Sequence, residues 1–134
     1  MLVNPTVAMG LADSGAHVGQ IMDASSPTWL LSYWVRERGV LSMEEAIRGW
    51  TSDTANLFGV KDRGTLKEGA YADVNVIDLD NLAIDLPEYK HDFPGGAGRY
   101  VQTGRGYDFV LVNGQVFMES GVHSGALSGH ILRS

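Results

Sequence analysis

Asp13 is the residue whose type and position most favour chemistry. It follows an apolar run of strand length, residues 7–12, and begins a loop that contains Gly15 and Gly19. A carboxylate at the carboxyl end of a buried strand is where α/β proteins build their sites, and it can ligate a metal ion or carry a proton. An aspartate here can equally cap the loop through an Asx turn, so position alone leaves both roles open.

Three further polar side chains follow Asp13 closely: Ser14, His17 and Asp23. Together they could form a small polar cluster around the carboxylate. A histidine in a glycine-containing loop is equally compatible with a solvated side chain. The spacing therefore marks these residues as candidates without assigning them a role.

The remaining histidines do not follow a metal-ligand spacing. His91-Asp92 lies in a glycine-rich segment, and His123 and His130 lie in a tail rich in glycine and serine. The three tryptophans fall on helical spacings with other apolar residues, which is typical of packing rather than of ligand stacking. From these residues alone the sequence identifies no reaction.

Composition excludes several classes of protein. The 134 residues carry 10 Lys plus Arg against 16 Asp plus Glu, a net charge of -6, and the basic residues are scattered, which argues against nucleic-acid binding. The absence of cysteine excludes disulfides and thiolate zinc ligands. The longest apolar stretches are far shorter than the roughly 20 residues of a membrane span, so we expect a cytoplasmic protein that does not enter the membrane.

The predicted secondary structure that would position these residues changes near residue 60, from one strand and then helices before it to strands and turns after it. Before it we predict one strand over 7–12, then a helix over 27–38, apolar nearly all round, with Ser25 or Ser26 as its N-cap and Gly39 as its end. A second helix should begin at the capping box of Ser42 and Glu45.

A third, brief helix should be capped by Ser52 or Asp53 and end at Gly59. Beyond it the chain has the pattern of strands and turns. We predict a turn bracketed by Gly64 and Gly69, a strand over 72–79 and an edge strand over 100–102.

Asn113-Gly114 between two apolar runs is the strongest hairpin signal in the chain.

Five stretches, taken in order, resemble the amidohydrolase superfamily, and more closely its N-acyl-D-amino-acid deacylase branch. The match extends over essentially the whole chain. The stretches are residues 10–18, 51–60 and 64–74, then Pro87-Glu88 with His91-Asp92, and Val112-Asn113-Gly114.

This resemblance implies a fold class between α/β and α+β. Residues 1–60 would be the last strand, the active-site loop and the helices of a (β/α)₈ barrel. Residues 61–134 would be part of a small β-sandwich or β-barrel domain. Most of the barrel would then be absent from this chain.

The resemblance also implies roles for individual residues. Asp13 falls on the family's active-site aspartate, which lies beside zinc, takes a proton from the metal-bound water and passes it to the leaving amine. Asp13 would also be a zinc ligand, together with ligands from a missing segment. Ser14 and His17 would line the same mouth as substrate-loop candidates, whereas Asp73 matches a structural position.

The chain departs from the family pattern in its metal ligands. The family's His-x-His pair occurs nowhere in this sequence, and a catalytic zinc normally needs three protein ligands. We therefore expect the chain to be the C-terminal portion of a deacylase, with no zinc bound and no activity when isolated. Two alternatives stay open: one subunit of a split amidohydrolase whose partner supplies the missing barrel segment, or a non-enzymatic oligomerising β module.

The apolar helix over 27–38 also makes a prediction about partners. Without barrel neighbours it should leave a hydrophobic patch that another copy covers. The sequence therefore predicts a homo-oligomer, most simply a dimer.

Overall fold

The computed structural model describes residues 3–10 and 12–132. Helices come first along the chain and strands follow. Helix α1 is Ser26–Trp29 and continues as π-helical turns over Leu30–Glu37. Helix α2 is Met43–Arg48, continues as π-helical turns over Gly49–Asp53 and runs into helix α3, Thr54–Leu57. Short 3₁₀ turns occupy Asp23–Ser25 and Pro94–Gly96.

Within the described residues, eight short strands form three antiparallel sheets. They are β1 (Val74–Ile77), β2 (Ala83–Ile84), β3 (Glu88–Lys90), β4 (Arg99–Val101), β5 (Gly104–Arg105), β6 (Tyr107–Val112), β7 (Gln115–Glu119) and β8 (Val122–His123). The largest sheet has the order β1-β6-β7-β8, and the other two are the pairs β2-β5 and β3-β4. The fold is therefore mixed helix and strand, as expected.

The buried core joins the helices to the turn before β2. Its buried apolar members are Leu30, Leu31, Leu41, Ala46 and Leu82. Leu82 and Ala46 are fully inaccessible to solvent. Burial of this small set removes apolar surface from water, which stabilises the contact between the two parts of the chain.

The first helix contacts the strands through its polar residues as well. Thr28 is buried, and its hydroxyl shares a hydrogen bond of 2.7 Å with the Tyr107 hydroxyl on β6. The predicted end at Gly39 is confirmed, because Gly39 adopts φ +57°. Ser25 is the N-cap residue, as predicted, but it makes no side-chain capping hydrogen bond: its hydroxyl donates instead to the side chain of Gln102, a partner 77 residues away.

The predicted capping box of helix α2 is confirmed. The Ser42 hydroxyl accepts from the backbone N–H of Glu45, and the Glu45 carboxylate accepts from the backbone N–H of Ser42 at 2.9 Å. The hydrogen bond from the Ser42 backbone to the Glu45 carboxylate, and after it one from the Ser42 side chain, lower the pKa of Glu45 below its ordinary value of 4.5.

The predicted cap of a separate third helix is wrong. Asp53 has helical backbone angles, φ -67° and ψ -44°, so the helix runs through it from α2 into α3. Its carboxylate instead accepts from the Arg48 side chain at 3.0 Å, one helical turn earlier. The predicted end of this helix at Gly59 is confirmed by φ +72° at that residue.

The Asn113-Gly114 hairpin is confirmed. Both residues have positive φ, +52° and +78°, which matches the right-handed twist of the flanking strands β6 and β7. Asp73 also has the structural role that the resemblance implies. One of its carboxylate oxygens accepts from the Asn113 backbone N–H at 2.8 Å, and the other pairs with Arg63.

The strand expected over residues 7–12 is wrong for the part that the structure describes. Residues 7–10 and 12 are irregular, and Leu11 lies outside the described residues. Met9 packs on the core, and its carbonyl accepts from the Thr54 hydroxyl at 3.2 Å. A strand needs a neighbour that satisfies its backbone hydrogen bonds, and this run lies against a helix instead.

Candidate active site

Asp13 lies exposed at the start of an irregular loop. Ser14 is exposed beside it, and the Asp13 carbonyl accepts from the backbone N–H of Ala16 at 3.1 Å. This bond closes a tight turn immediately after the carboxylate. The backbone of Asp13 therefore has a structural role in the loop, while its side chain is exposed and free of this bond.

His17 organises the second half of this loop through its backbone. It adopts φ +49°, which is uncommon for a residue with a side chain, and its carbonyl accepts from the N–H groups of Gln20 and Ile21 at 2.7 and 3.1 Å. Its imidazole is exposed, like the Asp13 side chain. The structure thus places the predicted site residues on one short, accessible loop.

Strand β4 contacts the second half of the loop, at Val18. The Tyr100 N–H donates to the Val18 carbonyl at 2.9 Å. A second connection joins the Ser25 hydroxyl to Gln102, whose amide nitrogen donates to the Asp85 carbonyl at 3.0 Å. The loop is therefore connected to the strand half of the chain at two places.

These residues do not by themselves fit a zinc ion. Within residues 3–10 and 12–132, no three His, Asp or Glu side chains come together as a group that could hold a metal. A catalytic zinc takes three protein ligands and leaves one position for water. Asp13 alone therefore offers one carboxylate where a set of ligands is required.

The other histidines make local contacts. The Nδ1 atom of His91 lies 3.0 Å from the Gly96 carbonyl, His123 accepts from the Gly125 N–H at 2.9 Å, and His130 contacts the Asn113 amide at 3.3 Å. Each contact stabilises a turn or the tail.

The β3–β4 hairpin beside the loop went largely unpredicted. Only an edge strand at 100–102 was expected, and the structure has β4 at Arg99–Val101 with β3 as its antiparallel partner. An ion pair closes the hairpin, since Arg99 donates to both carboxylate oxygens of Asp92 at 2.8 and 2.7 Å. This contact lowers the pKa of Asp92 below its ordinary value of 3.8. The sequence signal that could have indicated this hairpin is the pair Tyr89 and Tyr100, which lie on either side of a turn that contains Pro94 and two glycines.

Comparison with known proteins places this loop and fold in one family. The amidohydrolase family model matches residues 1–118. The chain therefore belongs to the amidohydrolase family.

Within that family, two curated relatives come from Alcaligenes xylosoxydans xylosoxydans. N-acyl-D-glutamate deacylase is 39% identical over 87 residues, which are 65% of this chain and 16% of that protein. D-aminoacylase is 29% identical over 103 residues, 77% of this chain and 19% of that protein. A dihydroorotase from Endomicrobium trichonymphae is 46% identical over only 43 residues, 32% of this chain and 10% of that protein. The chain thus spans less than a fifth of these relatives.

Solved structures of D-aminoacylase show the same similarity in three dimensions. They match with a TM-score of 0.65 and 29% identity over 81% of this chain and 21% of theirs. One is a point mutant in complex with CuCl2, and another concerns the functional role of a binuclear metal centre.

Among the described residues, none of the helices has the length and apolar character that a bilayer crossing requires.

Proposed function

We propose that this chain is the C-terminal portion of a metal-dependent amidohydrolase that cleaves the amide bond of N-acyl-D-amino acids. The observation that carries the proposal is the exposed carboxylate of Asp13 on a loop held by strand β4, in a chain of the amidohydrolase family. The similarity to N-acyl-D-glutamate deacylase and D-aminoacylase supports this substrate class.

Asp13 would act as the proton carrier of the reaction. Amide hydrolysis needs a base that takes a proton from the attacking water and an acid that returns a proton to the leaving amine. A single carboxylate can do both in turn, provided that it stands within hydrogen-bond distance of both groups. Ser14 and His17 follow Asp13 on the same accessible loop, where they would contact the substrate.

The isolated chain should be inactive. The described residues do not assemble a set of metal ligands, so the metal, which we take to be zinc, would be held by ligands from another segment. An assembled enzyme would need that segment in addition to the Asp13 loop.

Hydrolysis of N-acetyl-D-glutamate and other N-acetyl-D-amino acids tests these statements. The purified chain with added zinc should give no turnover, and addition of a barrel segment that contains a His-x-His pair should give metal-dependent turnover. Asp13→Asn should abolish that recovered activity, and Asp108→Asn, the same change at an exposed aspartate on strand β6, should retain it. Turnover by the isolated chain would overturn the inactivity, and equal recovered activity in Asp13→Asn would overturn the assigned role.

The recovered activity also separates the alternatives. If the segment that restores turnover is a separate natural partner chain, the protein is a subunit of a split enzyme. If no barrel segment restores turnover while the chain self-associates, the non-enzymatic module is the better description.

We further propose that a second copy covers the apolar groove along the first helix. The groove measures about 310 Å³, and Trp29 beside it is 43% exposed. Its lining residues carry no formal charge: Val7, Ala8, Met9, Gly10, Ser26, Trp29, Leu30, Trp34 and Trp50. Two copies of a chain of net charge -6 repel each other least where such uncharged faces meet. In a two-fold dimer, the groove of one copy would pack against the same groove of the other copy. Light scattering should detect a dimer, and a strictly monomeric chain at all concentrations would overturn this.

A further inference from the structure

The β3–β4 hairpin contacts the Asp13 loop through one backbone hydrogen bond. The Tyr100 N–H on β4 donates to the Val18 carbonyl at 2.9 Å. A displacement of β4 would therefore act on the loop at Val18. Strand β4 is short, three residues, and among the described strands it pairs with β3 in a two-stranded sheet. Strand pairing of this length leaves its position dependent on side-chain packing.

Tyr89 supplies that packing. It pairs with Tyr100 across the hairpin, and the two rings meet edge to face with centroids 5.0 Å apart. A second ring, His91, lies edge to face on Tyr89 at 5.2 Å. Aromatic contacts of this geometry stabilise a hairpin beyond the area that they bury.

Two glycines lie around the same ring. A methyl group at Gly98 would lie only 2.6 Å from Cζ of Tyr89, so the ring occupies the space that a side chain at position 98 would need. A methyl group at Gly19, in the Asp13 loop, would lie 3.9 Å from the Tyr89 hydroxyl oxygen. The ring therefore extends from the hairpin backbone to the loop backbone.

We propose that Tyr89 is a positioning residue for the Asp13 loop. Its ring, seated over Gly98, holds β4 where Tyr100 binds the Val18 carbonyl, and its hydroxyl end lies beside Gly19. Tyr89 thus acts through the loop and not on substrate. The proposed function explains why the loop would need to be positioned. The coupling between Tyr89 and the loop itself does not depend on catalysis.

Amide hydrogen exchange measured by NMR on the full chain tests the coupling. The informative amides are those of Gln20 and Ile21, which bond to the His17 carbonyl within the loop. The reference is the Gly114 amide, which bonds to the Ala72 carbonyl in the distant sheet at 2.8 Å. Tyr89→Ala should accelerate exchange of the loop amides about tenfold and leave the reference unchanged.

Two further variants and one control make the test specific. Tyr89→Phe keeps the ring and should restore most of the protection. Gly98→Ala displaces the ring without altering Tyr89 and should reproduce the Tyr89→Ala result. Gly129→Ala is the matched control, because a methyl group there meets only ordinary contact, 3.9 Å from Val112.

The outcomes decide between coupling and simple stability. Loop amides that exchange at the wild-type rate in Tyr89→Ala would overturn the proposal, and so would equal acceleration of the loop amides and the Gly114 amide, which would show global destabilisation. Because the measurement uses no turnover, it can fail while the deacylase activity is found, and the reverse also holds.

Discussion

The guanidinium of Arg36 donates to the backbone carbonyl of Leu82 over 2.8 Å. The same nitrogen also donates to the carbonyls of Leu79 and Asp80, at 2.6 and 3.2 Å. One side chain of the first helix thus satisfies three acceptors in the turn between β1 and β2. The helical and strand parts of the chain are joined here by a charged group as well as by the apolar core.

Replacement of Arg36 should separate the effects of this contact from those of the core. Arg36→Met keeps the aliphatic stem and should lower the free energy of unfolding by about 2 kcal/mol, because the hydrogen bonds from a charged donor to these carbonyls are lost. Urea unfolding measures the change. Arg38→Met, two residues further along and stacked over Tyr33 at 5.9 Å, should cost clearly less. Equal losses in the two variants would contradict the assigned role.

The capping box provides a second stability test. Ser42→Ala should lower the unfolding free energy by about 1 kcal/mol, since the Glu45 N–H loses its acceptor at the helix start. Ser52→Ala is the matched control, because Ser52 lies inside continuous helix and should change stability by less than about 0.5 kcal/mol. Thermal and urea unfolding of both variants measure the difference. A larger loss at Ser52 would mean that a third helix does start there.

Two glycines with similar positive φ angles, Gly95 and Gly106, should respond differently to alanine. Gly95 has φ +73° with open space around it, so Gly95→Ala should cost only the backbone strain, about 1 kcal/mol. Gly106 has φ +87°, and a methyl group there would lie 2.7 Å from the Leu82 Cα, so Gly106→Ala should cost about 2 kcal/mol more. Unfolding curves of the two variants give this difference, and its absence would show that the turn at Gly106 relaxes freely.

Acid should weaken the β3–β4 hairpin. The pKa of Asp92 is lowered, chiefly by the hydrogen bonds from Arg99, so the folded form binds a proton less readily than the unfolded chain. The resulting stabilisation is complete above the ordinary pKa of 3.8 and is lost as pH falls through the lower folded value. Hydrogen exchange of β4 amides between pH 5 and 2, corrected for intrinsic rates, should show this loss. Asp92→Asn and Arg99→Met should both flatten the profile, and an unchanged profile in either would refute the assignment.

Trp29 should be important for self-association. Its ring stacks on Tyr33 at 4.4 Å while 43% of the residue stays exposed beside the groove. Trp29→Gln should weaken the dimer at least about tenfold, because large aromatic side chains dominate such contacts. Sedimentation equilibrium measures the change. Leu66→Gln, at an 81% exposed position on a turn, should leave association unaltered.

Local signals predicted the elements that depend on neighbours in sequence. The Ser42 capping box and the Asn113-Gly114 turn both form from residues within one turn of each other. Glycines with positive φ end the helices at Gly39 and Gly59. In each case the geometry that the residue type favours needs no distant partner.

Two of the departures from prediction involve distant partners. Ser25 is chemically suited to cap a helix, but its hydroxyl binds Gln102 instead. The apolar residues 7–10 have the composition of a strand, yet within the described part of the chain they lie against helix residues such as Gly49 and Thr54. The accessible Asp13 agrees with its predicted position at the start of a loop, while its chemical role stays a prediction.

The Asp73–Asn113 hydrogen bond bears on the order in which the sheet assembles. Strands β6 and β7 are joined by a two-residue turn, so their pairing closes quickly. Strand β1 must come from far along the chain, since Asp73 and Asn113 are 40 residues apart, and closing so long a loop costs entropy before any contact repays it. We therefore expect the β6–β7 hairpin to form first in folding and β1 to dock onto it later, held at the turn by the Asp73 carboxylate.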